Sequence, residues 1–154
     1  MIIIRNYQKT DASETWKLKY HTIRNININD YSLEQVTAWA PDNLDMIVWQ
    51  KRVDDMNPFV AELNGKIVGF ADLQQDGYID HFFCHAEYQG IGVGRLLMER
   101  LFAKGRSEGI KRYYSQVSKT ARPFYEHFGF CVVKKQKVDI NGQLLTNFVM
   151  EKIN

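Results

Sequence analysis

Cysteine is scarce in this chain: Cys84 and Cys131 are the only two. Two cysteines in 154 residues do not make a disulfide framework, and no His/Cys cluster has a metal-ligand spacing. Each cysteine sits in an apolar run, so both are expected as buried free thiols, with no metal. Long hydrophobic runs are missing too. Nothing approaches the ~18 residues that a membrane helix needs. The opening Met-Ile-Ile-Ile-Arg is too short for a secretory signal. The expectation is a reducing, cytoplasmic setting without a membrane partner. Nor is one sign of charge in excess: 20 Lys and Arg against 18 Asp and Glu leave +2. That excludes the basic face that a nucleic acid partner requires. The small basic groups at Lys104–Arg106, Lys111–Arg112 and Lys134–Lys137 read as solvated faces, any of which could meet a phosphate-bearing ligand. Repeats, low-complexity segments and linkers are absent, so residues 1–154 are read as one domain.

What is present is an ordinary globular composition, 45% hydrophobic and 13% aromatic, in a chain long enough to bury roughly two-thirds of its unfolded surface. Ile2–Arg5 reads as a first strand. Thr10 or Asp11 caps a helix, with Glu14 as the capping-box partner of Asp11 and Trp16, Tyr20 and Ile23 at helical spacing. Asn25–Asp30 is a polar loop. Ser32–Gln35 is a second capping box, opening a short helix with Leu33, Val36 and Trp39 that Pro41 stops. Met46, Trp49 and Val53 suggest a third helix to about Asp55. Core packing is the expected role of the Trp and Tyr residues here, although Tyr31, Trp39 and Trp49 could also form an aromatic pocket.

From Pro58 the period changes. Phe59–Leu63 and Ile67–Leu73 flank Asn64-Gly65, a type I′ hairpin signal. After a turn at Gln74–Gly77, Tyr78–Cys84 is a third strand of the same meander. A helix runs from about Val93 to near Gly109 and a strand over Arg112–Val117. A short helix capped by Ser118 or Thr120 ends at Gly129. Phe130–Val138 and Leu144–Met150 form a second hairpin around Asn141-Gly142.

The junction between the third strand and the long helix is chemically the most informative stretch. It reads Gln89-Gly90-Ile91-Gly92-Val93-Gly94-Arg95. Unpaired N–H groups and the dipole of a helix start attract an anion, and glycines let the backbone approach a bulky one. The spacing Gly-x-Gly-x-Gly is not the dinucleotide fingerprint, and the Gly-Lys-Ser/Thr of a P-loop is absent. Gln89, Gly92 and Gly94 instead match Gln/Arg-x-x-Gly-x-Gly/Ala, so the turn resembles the signature of the GNAT superfamily of acyl-CoA N-acyltransferases. About 30 residues on, Ala121, Phe124, Tyr125, Glu126, Gly129 and Phe130 match the later Ala-x-x-Phe-Tyr-Glu-x-x-Gly-Phe segment of that family. The likeness extends from Pro58 onward; the amino-terminal third matches in element types only.

The resemblance implies a mixed α/β fold, with a central, mostly antiparallel, splayed sheet of six to seven strands flanked by helices. It implies acetyl-CoA as co-substrate and an amine as acceptor, in a monomer or homodimer. The pyrophosphate would lie on the amides of Gln89, Gly90, Ile91, Gly92, Val93, Gly94 and Arg95. The backbone of Phe82, Phe83 and Cys84 would hold the pantetheine and polarise the thioester, and Ser118 would touch the cofactor or cap the short helix. Tyr125 is the expected general acid for the departing thiolate. The base is sought in Asp80 or His81, which alternate across the expected strand so that one of them faces the acceptor; His85 and Gln116 are nearby alternatives. Cys84 lacks the paired His and acid that would make it a nucleophile. A non-catalytic acyl-CoA-binding domain is the rival reading, and a generic nucleotide-binding protein a distant third.

Overall fold

The computed structural model describes residues 1–154. In order, the elements are β1 (Ile2–Asn6), α1 (Ala12–Asn25), α2 (Leu33–Trp39), α3 (Met46–Met56), β2 (Phe59–Leu63), β3 (Lys66–Ala71), β4 (Tyr78–Ile79) and β5 (Phe82–Cys84). There follow α4 (Val93–Ser107), β6 (Arg112–Ser118), α5 (Arg122–His127), β7 (Cys131–Ile140) and β8 (Gln143–Ile153). Single 3₁₀ turns at Lys9–Asp11, Asn27–Asn29 and Ala86–Tyr88 complete it; the sequence pattern foresees none of the three.

Local chemistry accounts for most of these boundaries. Both Asn-Gly pairs have positive φ at each residue, 52° and 81° at Asn64-Gly65 and 49° and 87° at Asn141-Gly142. That is the type I′ turn whose twist matches paired strands. The Ser32 box closes in both directions: Gln35 N–H donates to Ser32 Oγ at 3.1 Å and Ser32 N–H to Gln35 Oε1 at 2.8 Å. Asp11 does precede α1, but its carboxylate turns backward. It accepts from Gln8 N–H and from the Arg5 guanidinium, each at 2.8 Å.

The mixed α/β architecture is as expected, and the splay goes further than a single fanned sheet. The strands divide into two four-stranded sheets, β1-β2-β3-β5 and β4-β6-β8-β7. Every neighbouring pair is antiparallel except β4 with β6. The expected third strand, Tyr78–Cys84, is in fact two: β4 pairs with β6 and β5 with β3. The break has a cause in Asp72, which is only 1% exposed. Its Oδ1 accepts the N–H groups of Asp80 at 2.9 Å and His81 at 2.8 Å. Those donors are lost to a main-chain ladder, and the chain changes sheets there.

Helix α4 lies on the first sheet, burying Val93, Leu97 and Leu101 with Val68, Ala71 and Ile79. On the other side, α1 and α3 pack Leu18, Trp49 and Val53 against Phe70. The buried stripe of α1 is Thr15, Leu18, Lys19, Thr22 and Ile23, while Trp16 and Tyr20 are half-buried. Cys84 and Cys131 are unpaired thiols, but neither residue is fully buried: Cys84 is half-buried, and Cys131 is exposed. Its apolar run forms the start of β7, the outermost strand of the second sheet, where nothing covers it. No helix is long and apolar enough to cross a membrane.

Candidate active site

The two sheets part just beyond β4. Ser115 Oγ donates to the Ile79 carbonyl at 2.7 Å, and Ile79–Ser115 is the last pair of the β4–β6 ladder. Beyond it, β5 is the free edge of the first sheet. Alternate residues of an antiparallel strand present their N–H and C=O groups to opposite sides. His85 N–H donates to Val68 O, and Asp72 N–H to His81 O. The alternation then points the polar backbone groups of Phe82 and Cys84 away from β3, toward the gap. On the gap side the Cys84 carbonyl accepts from Thr22 Oγ1 at 2.8 Å and from Gln89 Nε2 at 2.9 Å.

At one end of the gap lies the Gly-rich turn. Gly90 and Gly92 have φ of 77° and 95°, and a Cβ on either would meet no atom within 4 Å. Helix α4 begins there without a side-chain cap or an acidic residue in its first turn. Its first amides are therefore free for an anion. Around them is a cleft of about 370 Å³ lined by Gly90, Gly92, Gly94, Arg95, His127 and Phe128 among others. Ile91 is exposed, whereas the Val93 side chain is core and only its main chain can reach the cleft. Gly94 has a different task from its neighbours: a Cβ there would stand 2.7 Å from the Phe124 ring. Gln89 staples the turn, donating also to the His85 carbonyl at 3.2 Å.

A larger cleft of about 600 Å³ runs from Gln89 along β5 and β6 to the amino-terminal helices. It brings together Phe82, Phe83, Cys84, Ser118, Tyr125, Asp80 and His81. Gln116 also lines it, with its Oε1 accepting from Gln136. His85 stays outside, packed edge-on against Tyr88, with its Nδ1 accepting from Glu87 N–H. Tyr125 comes from α5 and is 3% exposed. Burial pushes its phenol well above the ordinary range, and nearby ionisable groups add to this against a hydrogen bond with Ser115. The phenol therefore keeps its proton at any working pH. Burial also pushes the Cys84 thiol up to about 12, so it supplies no thiolate. Ser118 Oγ accepts from Ala121 N–H at 3.1 Å, tying the start of α5.

Asp80 and His81 are partners, not alternatives. His81 Nδ1 lies 3.1 Å from Asp80 Oδ2, and both line the same cleft. The strand alternation fails because both residues fall in the break between β4 and β5. On the far side of the ring, His81 Nε2 lies 2.8 Å from Lys19 Nζ. A carboxylate only accepts, so Nδ1 carries the proton and Nε2 accepts from Lys19. The His81 hydrogen bond, above all, holds Asp80 down to about 2 despite burial, with smaller help from surrounding charges that include Arg52, whose Nη2 is 3.5 Å away. Burial and then the Lys19 charge lower His81 to about 3. Lys19 Nζ sits over the rings of Trp49 at 5.2 Å, Trp16 at 5.7 Å and Phe83 at 5.8 Å. Its burial, reinforced by Arg52, brings it down to about 7.

The sequence pattern passed over Lys19, Thr22 and Asp72. A signal for Lys19 exists: with Thr15, Leu18, Thr22 and Ile23 it holds the i, i+3, i+4, i+7, i+8 stripe of α1. A cation on that stripe must be buried. Trp16, Trp39, Pro41, Leu44, Val48 and Ile140 add apolar walls to the same cleft. Trp49 and Tyr31 line it while also being core. No group of three or more His, Cys, Asp or Glu residues could hold a metal ion.

Known proteins share this architecture. The chain is 34% identical over 149 residues to YafP of Escherichia coli (strain K12), described as an uncharacterized N-acetyltransferase, covering 97% of this chain and 94% of that protein. A GCN5-related N-acetyltransferase from Rhodopseudomonas palustris superposes with a TM-score of 0.94 at 30% identity, over 99% of this chain and 95% of the other. YncA from Salmonella typhimurium, solved with its cofactor acetyl-CoA, shares the fold with a TM-score of 0.71 at 19% identity, over 99% and 94%. Residues 27–152 match the acetyltransferase (GNAT) domain, and the chain belongs to that family of N-acetyltransferases.

Proposed function

We propose that this N-acetyltransferase carries the acetyl group of acetyl-CoA directly to a primary amine held with it in one ternary complex. The observation that carries this reading is the free outer edge of β5, opening on a cleft that joins the Gly-rich turn to Tyr125. The amides of residues 89–95 would take the pyrophosphate, with Gly90 and Gly92 leaving room for it. The pantetheine arm would run along β5. Main-chain donors at Phe82 and Cys84 would polarise the thioester carbonyl and hold the developing oxyanion, usually the largest electrostatic contribution to acyl transfer.

Direct attack is supported by the state of Cys84, whose buried thiol has no base beside it to raise an acyl-enzyme. Tyr125 keeps its proton until the thiolate departs and then donates it. Release of free thiol from acetyl-CoA, measured over a panel of small amines, polyamines and peptide N-termini, tests the reading. Turnover with one class of amine is the expected outcome. Tight binding of acetyl-CoA with no turnover on any amine would make the chain an acyl-CoA-binding domain instead.

A further inference from the structure

The reaction needs a base, because an aliphatic amine arrives as an ammonium ion and cannot attack until it loses a proton. The groups expected for this from the sequence are poor at it. Asp80 and His81, held at about 2 and about 3, keep a proton too weakly at neutral pH. Tyr125 gives its proton up too reluctantly to start as a base. Asp72 faces the main chain of Asp80 and His81 and does not line the cleft.

Lys19 is built differently. Its side chain runs inward from α1 and its Nζ touches His81 Nε2, with three aromatic rings around it. The groups facing it are Arg52 from α3, Asp80 and His81 from the β4–β5 break, and Trp49 and Phe83 from α3 and β5. No carboxylate hydrogen-bonds it. Burial and the Arg52 charge favour the neutral amine, while the ring faces and the more distant Asp80 charge favour the ammonium. The balance falls near neutrality.

We propose that Lys19 is the general base of this acetyltransferase, with His81 and Asp80 as the positioning residues that aim its lone pair into the cleft. This rests on the acetyl-transfer reading above. The acceptor ammonium passes one proton to neutral Lys19 Nζ, which becomes an ammonium inside its aromatic box. The freed amine nitrogen forms a bond to the thioester carbon, and the oxygen takes the π pair. The tetrahedral adduct collapses with cleavage of the C–S bond, and Tyr125 protonates the leaving sulfur. The second nitrogen proton returns to the Tyr125 oxygen, giving the amide and free CoA. Lys19 then releases its proton to water, so the balance is one ammonium and one thioester to one amide, one thiol and one proton. His81 matters because its Nε2 fixes one Nζ hydrogen, and Asp80 fixes the tautomer that keeps Nε2 an acceptor.

The test compares wild type with Lys19→Met and Lys19→Arg on a primary amine that turns over. The ratio of wild-type to Lys19→Met kcat/KM cancels the titration of the acceptor itself. That ratio should be flat above about pH 7 and fall roughly tenfold per unit below it. Both variants should bind acetyl-CoA as wild type does, and both should lose roughly 10²- to 10⁴-fold in kcat. The Arg variant should lose as much as the Met variant, because it keeps charge but cannot shed its proton. A variant that binds acetyl-CoA normally and keeps wild-type kcat, or a ratio without pH dependence, overturns the assignment. Should the variants not fold, the ¹³Cε resonance of Lys19 in wild type decides instead. Titration near neutrality supports the base, and an ammonium that persists beyond pH 9 overturns it. If the wild type releases thiol with no amine at all, the acetyl-transfer reading fails, and the Lys19 titration still reports independently on its proton.

Discussion

Asp72 and His81 face each other across the β3–β5 pairing, yet the N–H of His81 goes to the Asp72 side chain at 2.8 Å rather than to its carbonyl. The same carboxylate oxygen takes Asp80 N–H. One buried acid thus ends β4, starts β5 and sets the angle at which His81 enters the cleft.

Burial raises the Asp72 carboxyl to about 6 against the pull of its hydrogen bonds. A raised carboxyl pKa means the folded state holds the proton more tightly than the unfolded chain. Its contribution to stability is complete below the unfolded value near ~4 and is lost as pH rises through about 6. Asp72→Asn keeps an oxygen for the two main-chain donors and removes the titration. Measured by urea unfolding, wild type should lose stability relative to that variant between pH 4 and about 6, by up to ~3 kcal/mol. The opposite slope would mean that the charged form is favoured in the fold.

Tyr125→Phe should lower kcat by roughly 10²-fold and leave the Kd for acetyl-CoA unchanged. The fold should tolerate it, because Ser115 Oγ keeps its bond to the Ile79 carbonyl when the phenol is removed. Equal turnover in the variant would remove Tyr125 from the chemistry.

Gly92→Val separates ligand binding from folding. A side chain there meets no protein atom within 4 Å, but φ is 95°. The backbone strain should cost about 1–3 kcal/mol in an unfolding experiment. The branched side chain would stand over the free amides of α4, and the acetyl-CoA Kd should rise about tenfold or more by calorimetry. An unchanged Kd would move the pyrophosphate elsewhere.

The two thiols should react very differently. Cys131 is exposed on β7, while burial holds the Cys84 thiol at about 12. At pH 8 an aromatic disulfide reagent should titrate Cys131 alone in the native protein, and both thiols after denaturation. Fast labelling of Cys84 in the native state would contradict its protonated, shielded state.

How far the sequence could be read depended on how local each signal was. The Asn-Gly pairs, the Ser32–Gln35 box and the Gly-rich turn are contiguous, and their geometry follows from residues that touch in the chain. The break at Asp80-His81 is invisible locally, because its cause sits at Asp72 on the preceding strand. Alternation therefore set Asp80 against His81 when the fold makes them partners. Lys19 is separated from His81 by 62 positions, and the more conspicuous spacing of Trp16, Tyr20 and Ile23 shares only Ile23 with the stripe that is buried. Cys131 shows the converse limit: an apolar run says nothing about whether a strand is central or outermost.

Helix α1 holds β5 and its approach at two places one turn apart, Thr22 on the Cys84 carbonyl and Lys19 on His81. Under the proposed function, substitution along that inner stripe would disturb coenzyme and acceptor together, so it is poor ground for evolving or engineering new preferences. Trp39, Leu44, Val48 and Ile140 line the same cleft but belong to other segments, and under the proposed function they can vary without loosening that clasp. A library confined to those four positions is the economical route to an enzyme of altered taste.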